Sequence, residues 1–174
     1  MLKWLQRRNA ATDGDARAAE LYDEVVRVAR RPDWYVEGGV PDSIDGRFDM
    51  VVLALSLLLV RLERDDADPR ARALSSLLVE RFAADMDGSF REIGIGDMVI
   101  GKHMGRAMQA LGGRLGSYRD ALAEGADPAL LRTALARNAL RGEDVAGDRL
   151  YWLERSVRDE WARTAARPLA EITG

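Results

Sequence analysis

The sequence has no cysteine, which removes disulfide frameworks, zinc-thiolate sites and thiol nucleophiles together. It has a single histidine, His103, so no multi-histidine metal cage can form within the chain, and any serine-histidine chemistry would have to run through that imidazole. Lysine is nearly absent as well, with two lysines against 24 arginines, and aromatic residues make up only 6%. Long apolar runs are missing too. The longest, Met50 to Val60 with Ser56 inside it, falls well short of the roughly 18 residues that a bilayer span needs and reads as a core helix. What is present is ordinary: 174 residues, 47% hydrophobic and 32% charged, with a net charge of -3. That balance can close a hydrophobic core and excludes a self-repelling disordered coil. Carboxylates, hydroxyls and arginines are what remain for chemistry.

Helical periodicity dominates, without sustained two-residue alternation and without an Asn-Gly or Asp-Gly hairpin between β-branched runs. The predicted fold class is all-α, a single compact bundle of about six to seven helices around a central apolar helix. The first helix is expected from about Asp15 to Arg30, with Ala18, Leu21, Tyr22, Val25, Val26 and Ala29 on one stripe, Asp15 capping it and Pro32 stopping it. Gly38 to Gly46 mixes glycine and proline breakers with the acceptors Asp42, Ser43 and Asp45, and reads as a shaped turn. The helix it delivers, about Arg47 to Arg64, is apolar nearly all round from Met50 to Leu62, which places it at the centre. Asp65 to Pro69 opens a further helix toward Met86, and Gly94-Ile95-Gly96 breaks the chain before Asp97 caps a long helix to about Ala123. Asp127-Pro128 opens a shorter helix to about Leu140, and a last one carries Leu150, Trp152, Leu153, Val157 and Trp161 before Pro168.

Residues 1–12 are expected to form a flexible basic amphipathic arm, and residues 13–174 a single helical domain. Met1 to Arg8 lacks the apolar run and small-residue cleavage site of a secretory signal, so the chain is expected to stay where it is made. Trp4 beside Leu2 and Leu5, with Lys3, Arg7 and Arg8, suits weak peripheral contact with an anionic membrane; a frayed end is the alternative.

The segment after Asp97 places Ile100, Met104, Ala107, Met108, Leu111, Leu115, Tyr118 and Leu122 on one helical face. Beside it runs a glycine stripe, Gly101, Gly105, Gly112 and Gly116. Each such glycine costs roughly 1 kcal/mol relative to alanine, so close approach of another helix is expected there, either from this chain or from a client. Between Met98 and Arg119 there is no acid, while Lys102, Arg106, Arg114 and Arg119 supply positive charge. Such a pattern is most often a plain solvated helix face; as a binding patch it would suit phosphate, lipid headgroups or an acidic protein face. The interleaved aromatics of a nucleic-acid surface are absent apart from Tyr118, so no specific nucleic acid is expected.

Two apparent motifs fail on physical grounds. Gly96 to His103 has the spacing of a phosphate loop, but Asp97 would repel phosphate, Val99 and Ile100 crowd the amides, and no strand precedes it. Asp85 to Ser89 begins like a calcium loop, yet its glycine comes too early and Gly96 stands where the bidentate glutamate belongs. Asp42, Asp45, Asp49, Asp87, Glu92 and Asp97 gather around the glycine-rich breaks with Arg47, Arg91 and Lys102. Without Glu-x-x-Glu or Glu-x-x-His spacing they read as caps and ion pairs, and as a carboxylate-dependent metallohydrolase only as an alternative.

Two stretches resemble a known family: Ala29-Arg30-Arg31-Pro32-Asp33-Trp34-Tyr35 continuing to Gly39 through Asp49, and Asp85-Met86-Asp87-Gly88-Ser89-Phe90-Arg91-Glu92-Ile93-Gly94-Ile95-Gly96-Asp97 continuing to Gly101-Lys102. They are similar to the ubiquinol-cytochrome c chaperone family, in its short bacterial form. The resemblance implies an all-helical, non-enzymatic assembly factor without a cofactor, whose client is newly made cytochrome b. It also implies a cytoplasmic place, peripheral to the inner face of the bacterial plasma membrane, and from the mitochondrial relatives a ribosome contact and a small partner protein. The motif positions carried over are Pro41, Asp42, Asp45, Gly46, Arg47, Asp49, Asp87, Arg91, Glu92, Gly94, Gly96, Asp97, Gly101 and Lys102; Tyr35, Gly105 and Arg106 join them as candidate client or partner contacts. A generic adaptor for another membrane protein's helix is a further reading.

Overall fold

The computed structural model describes the backbone of residues 2–142 and 147–174, and side chains from residue 13 onward. Its elements are α1 (Leu2–Ala29), α2 (Pro32–Val36), α3 (Ile44–Glu63), α4 (Pro69–Glu92), α5 (Asp97–Ala121), α6 (Pro128–Asn138), α7 (Gly147–Ala166) and α8 (Leu169–Thr173), with no strand among the described residues. The all-α expectation holds. The chain divides into two compact units, one made of Met1–Glu24, Leu62–Ala110 and Pro168–Gly174, the other of Val25–Arg61 and Leu111–Arg167.

In the first unit Ala18, Leu21 and Tyr22 of the predicted α1 stripe are buried, and so are Ala71, Leu74, Leu78, Phe82 and Met86, which repeat by threes and fours along α4. Spacing by threes and fours makes one face of each helix apolar, and burying it supplies the packing energy. The Tyr22 hydroxyl donates to Asp85 Oδ2 at 2.8 Å. Arg17 donates to the carbonyls of Glu171 and Ile172 at 2.6 and 2.9 Å, satisfying the open end of the short α8. Asp68 caps α4 by accepting from the Arg70 amide.

In the second unit α3 is the most enclosed element, and every residue from Met50 through Arg61 is buried. Leu111, Tyr118 and Leu122, Leu131 and Leu135 of α6, and Leu153 and Val157 of α7 are buried as well. Trp34 and Tyr35 tie off the end of α1. The Trp34 indole donates to the Val28 carbonyl at 2.7 Å and the Tyr35 hydroxyl to the Ala29 carbonyl at 2.8 Å, taking up two carbonyls that the helix itself leaves open. Gly38 is forced by the same turn, because a Cβ there would lie 2.6 Å from the Trp34 carbonyl oxygen.

Several boundaries differ from the sequence reading. The backbone of α1 is helical from Leu2, so Asp15 sits inside it and pairs with Arg81 at 2.9 Å instead of capping. Lipid contact by Met1 to Arg8 concerns side chains outside the described residues. Pro32, expected only to stop a helix, opens α2 as its first residue, where a missing amide hydrogen costs nothing. α3 starts at Ile44, and α4 continues through Gly88 to Glu92. Asp97 is the first residue of α5. Its cap position is held by Gly96, whose carbonyl accepts from the Ile100 amide at 3.2 Å.

Candidate functional site

The first motif stretch folds into the start of α3. Ser43 Oγ accepts from the Gly46 amide at 3.1 Å, the hydrogen bond of a serine N-cap. Gly46 admits no other residue without rearrangement, because a Cβ would stand 1.9 Å from the Pro41 carbonyl oxygen. Asp42 and Arg47 pair across this turn at 2.7 Å in solvent, and that guanidinium holds the Asp42 carboxyl below the usual carboxylate range. One turn into the helix, Asp49 is fully buried. Arg114 reaches it at 2.6 Å and Arg141 at 2.9 Å, and Arg141 also reaches Asp45 at 3.2 Å. Burial pushes the Asp49 carboxyl above its ordinary value, although both arginines pull the other way. The Arg114 guanidinium lies over the Phe48 ring, 5.4 Å from its centre. The motif from Pro41 to Asp49 therefore shapes a turn and pins α3 to α5 and to the end of α6.

The second stretch forms the α4–α5 turn. α4 ends in a Schellman arrangement: the Ile95 amide donates to Phe90 at 2.9 Å and the Gly94 amide to Arg91 at 3.0 Å, with Gly94 at φ +84°. Arg91 bridges Asp87 at 2.7 Å and Asp97 at 2.5 Å, joining the two helices in the open. Phe90 packs against the His103 ring, 5.6 Å between centres. Around this turn large apolar side chains are exposed beside the charged ones. Met98 is 99% exposed, Ile93 54% and Val99 48%.

On α5, Gly101, Lys102, Gly105 and Arg106 are exposed. A Cβ placed on Gly101, Gly105, Gly112 or Gly116 would meet nothing within 4 Å. Among the described residues no neighbouring helix approaches these glycines, against the expectation of a close helix contact from within the chain. Arg114 is a second correction, since it leaves the basic patch to serve Asp49. Of the arginines that matter most to the first motif, Arg141 was not singled out from sequence, and Arg114 was noted only as a member of the basic patch. Arg114 sits in a stretch that reads as a solvated face, and Arg141 in a helix stop, where its φ of 58° marks a left-handed turn. Of the remaining candidates, Tyr35 serves the end of α1, and Glu92 is exposed beside Ile93. Among the described residues, no three His, Cys, Asp or Glu side chains gather as a metal ion would require.

The profile of a family described as ubiquinol-cytochrome C chaperone matches residues 36–173, which include both motif stretches apart from Ala29 to Tyr35. The chain belongs to the ubiquinol-cytochrome c chaperone family. Its fold agrees with the crystal structure of the Cbp3 homolog from Brucella abortus at a TM-score of 0.83 and 30% identity, over 100% of this chain and 94% of that one. A search of curated proteins finds no significant match. In this member of the chaperone family Gly46 and Asp49 of the first motif are buried, whereas Asp42, Asp45 and Arg47, like Gly101 and Lys102 on α5, are exposed.

Proposed function

We propose that this protein holds newly synthesised cytochrome b and assists its entry into ubiquinol-cytochrome c reductase, acting without catalysis from the cytoplasmic side of the membrane. The family match over residues 36–173 carries the reading. The outward face of α5 supports a location for the client on the first unit. Gly101 and Gly105 cost helix stability, meet no neighbour among the described residues, and leave room for a client helix to approach the α5 backbone, with Lys102 and Arg106 beside them to meet anionic groups. No described helix is long and apolar enough to cross a membrane. A small partner protein and a contact with the ribosome belong to the same proposal. The hydrolase alternative has less support, because the Asp42, Asp49, Asp87 and Asp97 carboxylates each pair with an arginine.

Deleting the gene and recording b-type haem spectra of membranes tests the reading. Loss of reductase haem is expected, with recovery on re-expression, and unchanged reductase content overturns it. Crosslinking from photoreactive residues placed at Gly101 and Gly105 is expected to capture cytochrome b.

A further inference from the structure

The α4–α5 turn carries a feature that client holding leaves unused: apolar side chains that stand free in solvent at the tip of a helical hairpin. Met98 is 99% exposed and Val99 48%, with Ile93 at 54% just before the turn. On the 3.6-residue period, Met98, Val99, Lys102 and Arg106 fall within an arc of roughly 100° on α5. We propose that this tip inserts into the headgroup layer of an anionic lipid surface, Met98 and Val99 reaching the acyl boundary and Lys102 and Arg106 binding phosphate above them. This develops the membrane-peripheral part of the proposed function and does not require cytochrome b.

Three observations favour lipid over a protein partner at this spot. A protein must offer a pocket shaped to a protruding methionine, whereas a bilayer takes up single apolar side chains without shape complementarity. The vertical spacing fits. With α5 along the membrane normal, Lys102 lies about 6 Å from Met98 along the axis, within a headgroup layer about 5 to 8 Å deep, and Arg106, about 12 Å away, reaches back toward it because helical side chains lean to the N-terminus. The charges also agree: no acid occurs from Met98 to Arg119, and the two aspartates nearest the tip, Asp87 and Asp97, are both held by Arg91. Glu92, exposed beside Ile93, carries the opposing sign and weakens the attraction.

Sedimentation of the full chain with protein-free vesicles tests this, using phosphatidylcholine alone and phosphatidylcholine mixed with phosphatidylglycerol. The wild type is expected to bind the mixed vesicles, to bind plain ones far less, and to weaken as salt is raised. Met98→Asp with Val99→Asp is expected to lower binding at least about tenfold, Lys102→Glu with Arg106→Glu likewise, and Glu92→Gln to raise it several-fold, about five-fold being the worth of one charge near such a surface. Val36→Asp with Ile44→Asp, apolar and exposed in the other unit, is the control and is expected to change nothing. Unchanged circular dichroism keeps the tip variants interpretable. Absence of wild-type binding overturns the proposal, as does retained binding in the tip variants, which would move the contact elsewhere on the chain. Binding that appears only when the vesicles contain a membrane protein also overturns it, while leaving cytochrome b holding intact.

Discussion

At the start of α3 an aspartate lies buried between two arginines, and at the α4–α5 turn an arginine lies exposed between two aspartates. Both turns also depend on glycine, but for different reasons. Gly46 is fixed by the Pro41 carbonyl pressed against it, whereas Gly94 is fixed by its left-handed backbone and has open space around it. The inward cluster works where water is excluded, so its charges either match or destabilise the fold. The outward cluster works in solvent, where an ion pair contributes little to stability. Two glycine-rich breaks thus place charge differently: one buries Asp49 between arginines, and the other leaves Arg91 and its aspartates on the surface.

Removing the buried carboxylate should have the largest effect. Asp49→Ala leaves Arg114 and Arg141 facing an apolar gap and is expected to cost about 3 kcal/mol, read as a lower midpoint in urea. Combining it with Arg114→Met is expected to cost less than the two single changes added, by at least about 1 kcal/mol, because the second change removes a charge that the first left stranded. Simple additivity would show that the pair is not coupled. Gly46→Ala comes next, at about 2 kcal/mol, since the Pro41 carbonyl or the first turn of α3 has to move to admit a methyl group.

Much of this contrast was legible in the residues before any fold was in view. Helical periodicity located the stripes of α1, α3 and α4, because those faces repeat every three or four residues regardless of what they pack against. Asp68 and Asp127 were identifiable as caps beside N1 prolines, and both accept the expected amide bonds. The partners of Asp49 were not legible. A carboxylate that opens a helix reads as a cap when viewed locally, and nothing local distinguishes one that points inward toward an arginine far along the chain. The glycine stripe was visible too, but its direction was not, since a pattern of small residues is the same whether it faces a neighbour or solvent. Only the open space beside Gly101 and Gly105 decides that.

Smaller effects are expected on the outward region, and there stability and function should part. Gly105→Ala fills no gap and strains nothing, so it should stabilise the fold by about 1 kcal/mol through helix propensity, while lowering capture of cytochrome b in crosslinking from Gly101. A stabilised variant that still captures the client at the wild-type level would remove α5 from the docking surface. Arg91→Ala should leave the urea midpoint where it is, in contrast to Asp49→Ala; a clear drop would show that the α4–α5 turn is held by its ion pairs and not by the Schellman bonds at Gly94.

The subtlest difference lies in how two aspartates within one motif respond to acid. Asp42, in solvent and hydrogen-bonded by Arg47, has its carboxyl below the usual range. Its contribution to stability is therefore present above the unfolded value and is lost as pH falls through its lowered folded value. Asp49 has two arginines and yet is shifted upward, because desolvation outweighs their attraction. The folded state holds that proton more tightly than the unfolded chain does, so as pH falls from the raised folded value toward the unfolded one this group comes to favour the fold. The two contributions oppose each other in the acid range. Carboxyl carbon resonances followed through an acid titration should show Asp49 protonating first and Asp42 last. In Asp49→Asn the favourable half disappears, and stability should fall more steeply with acid than in the wild type. If Asp49 instead titrates below Asp42, its arginines outweigh its burial, and the inward cluster is an ordinary strong ion pair.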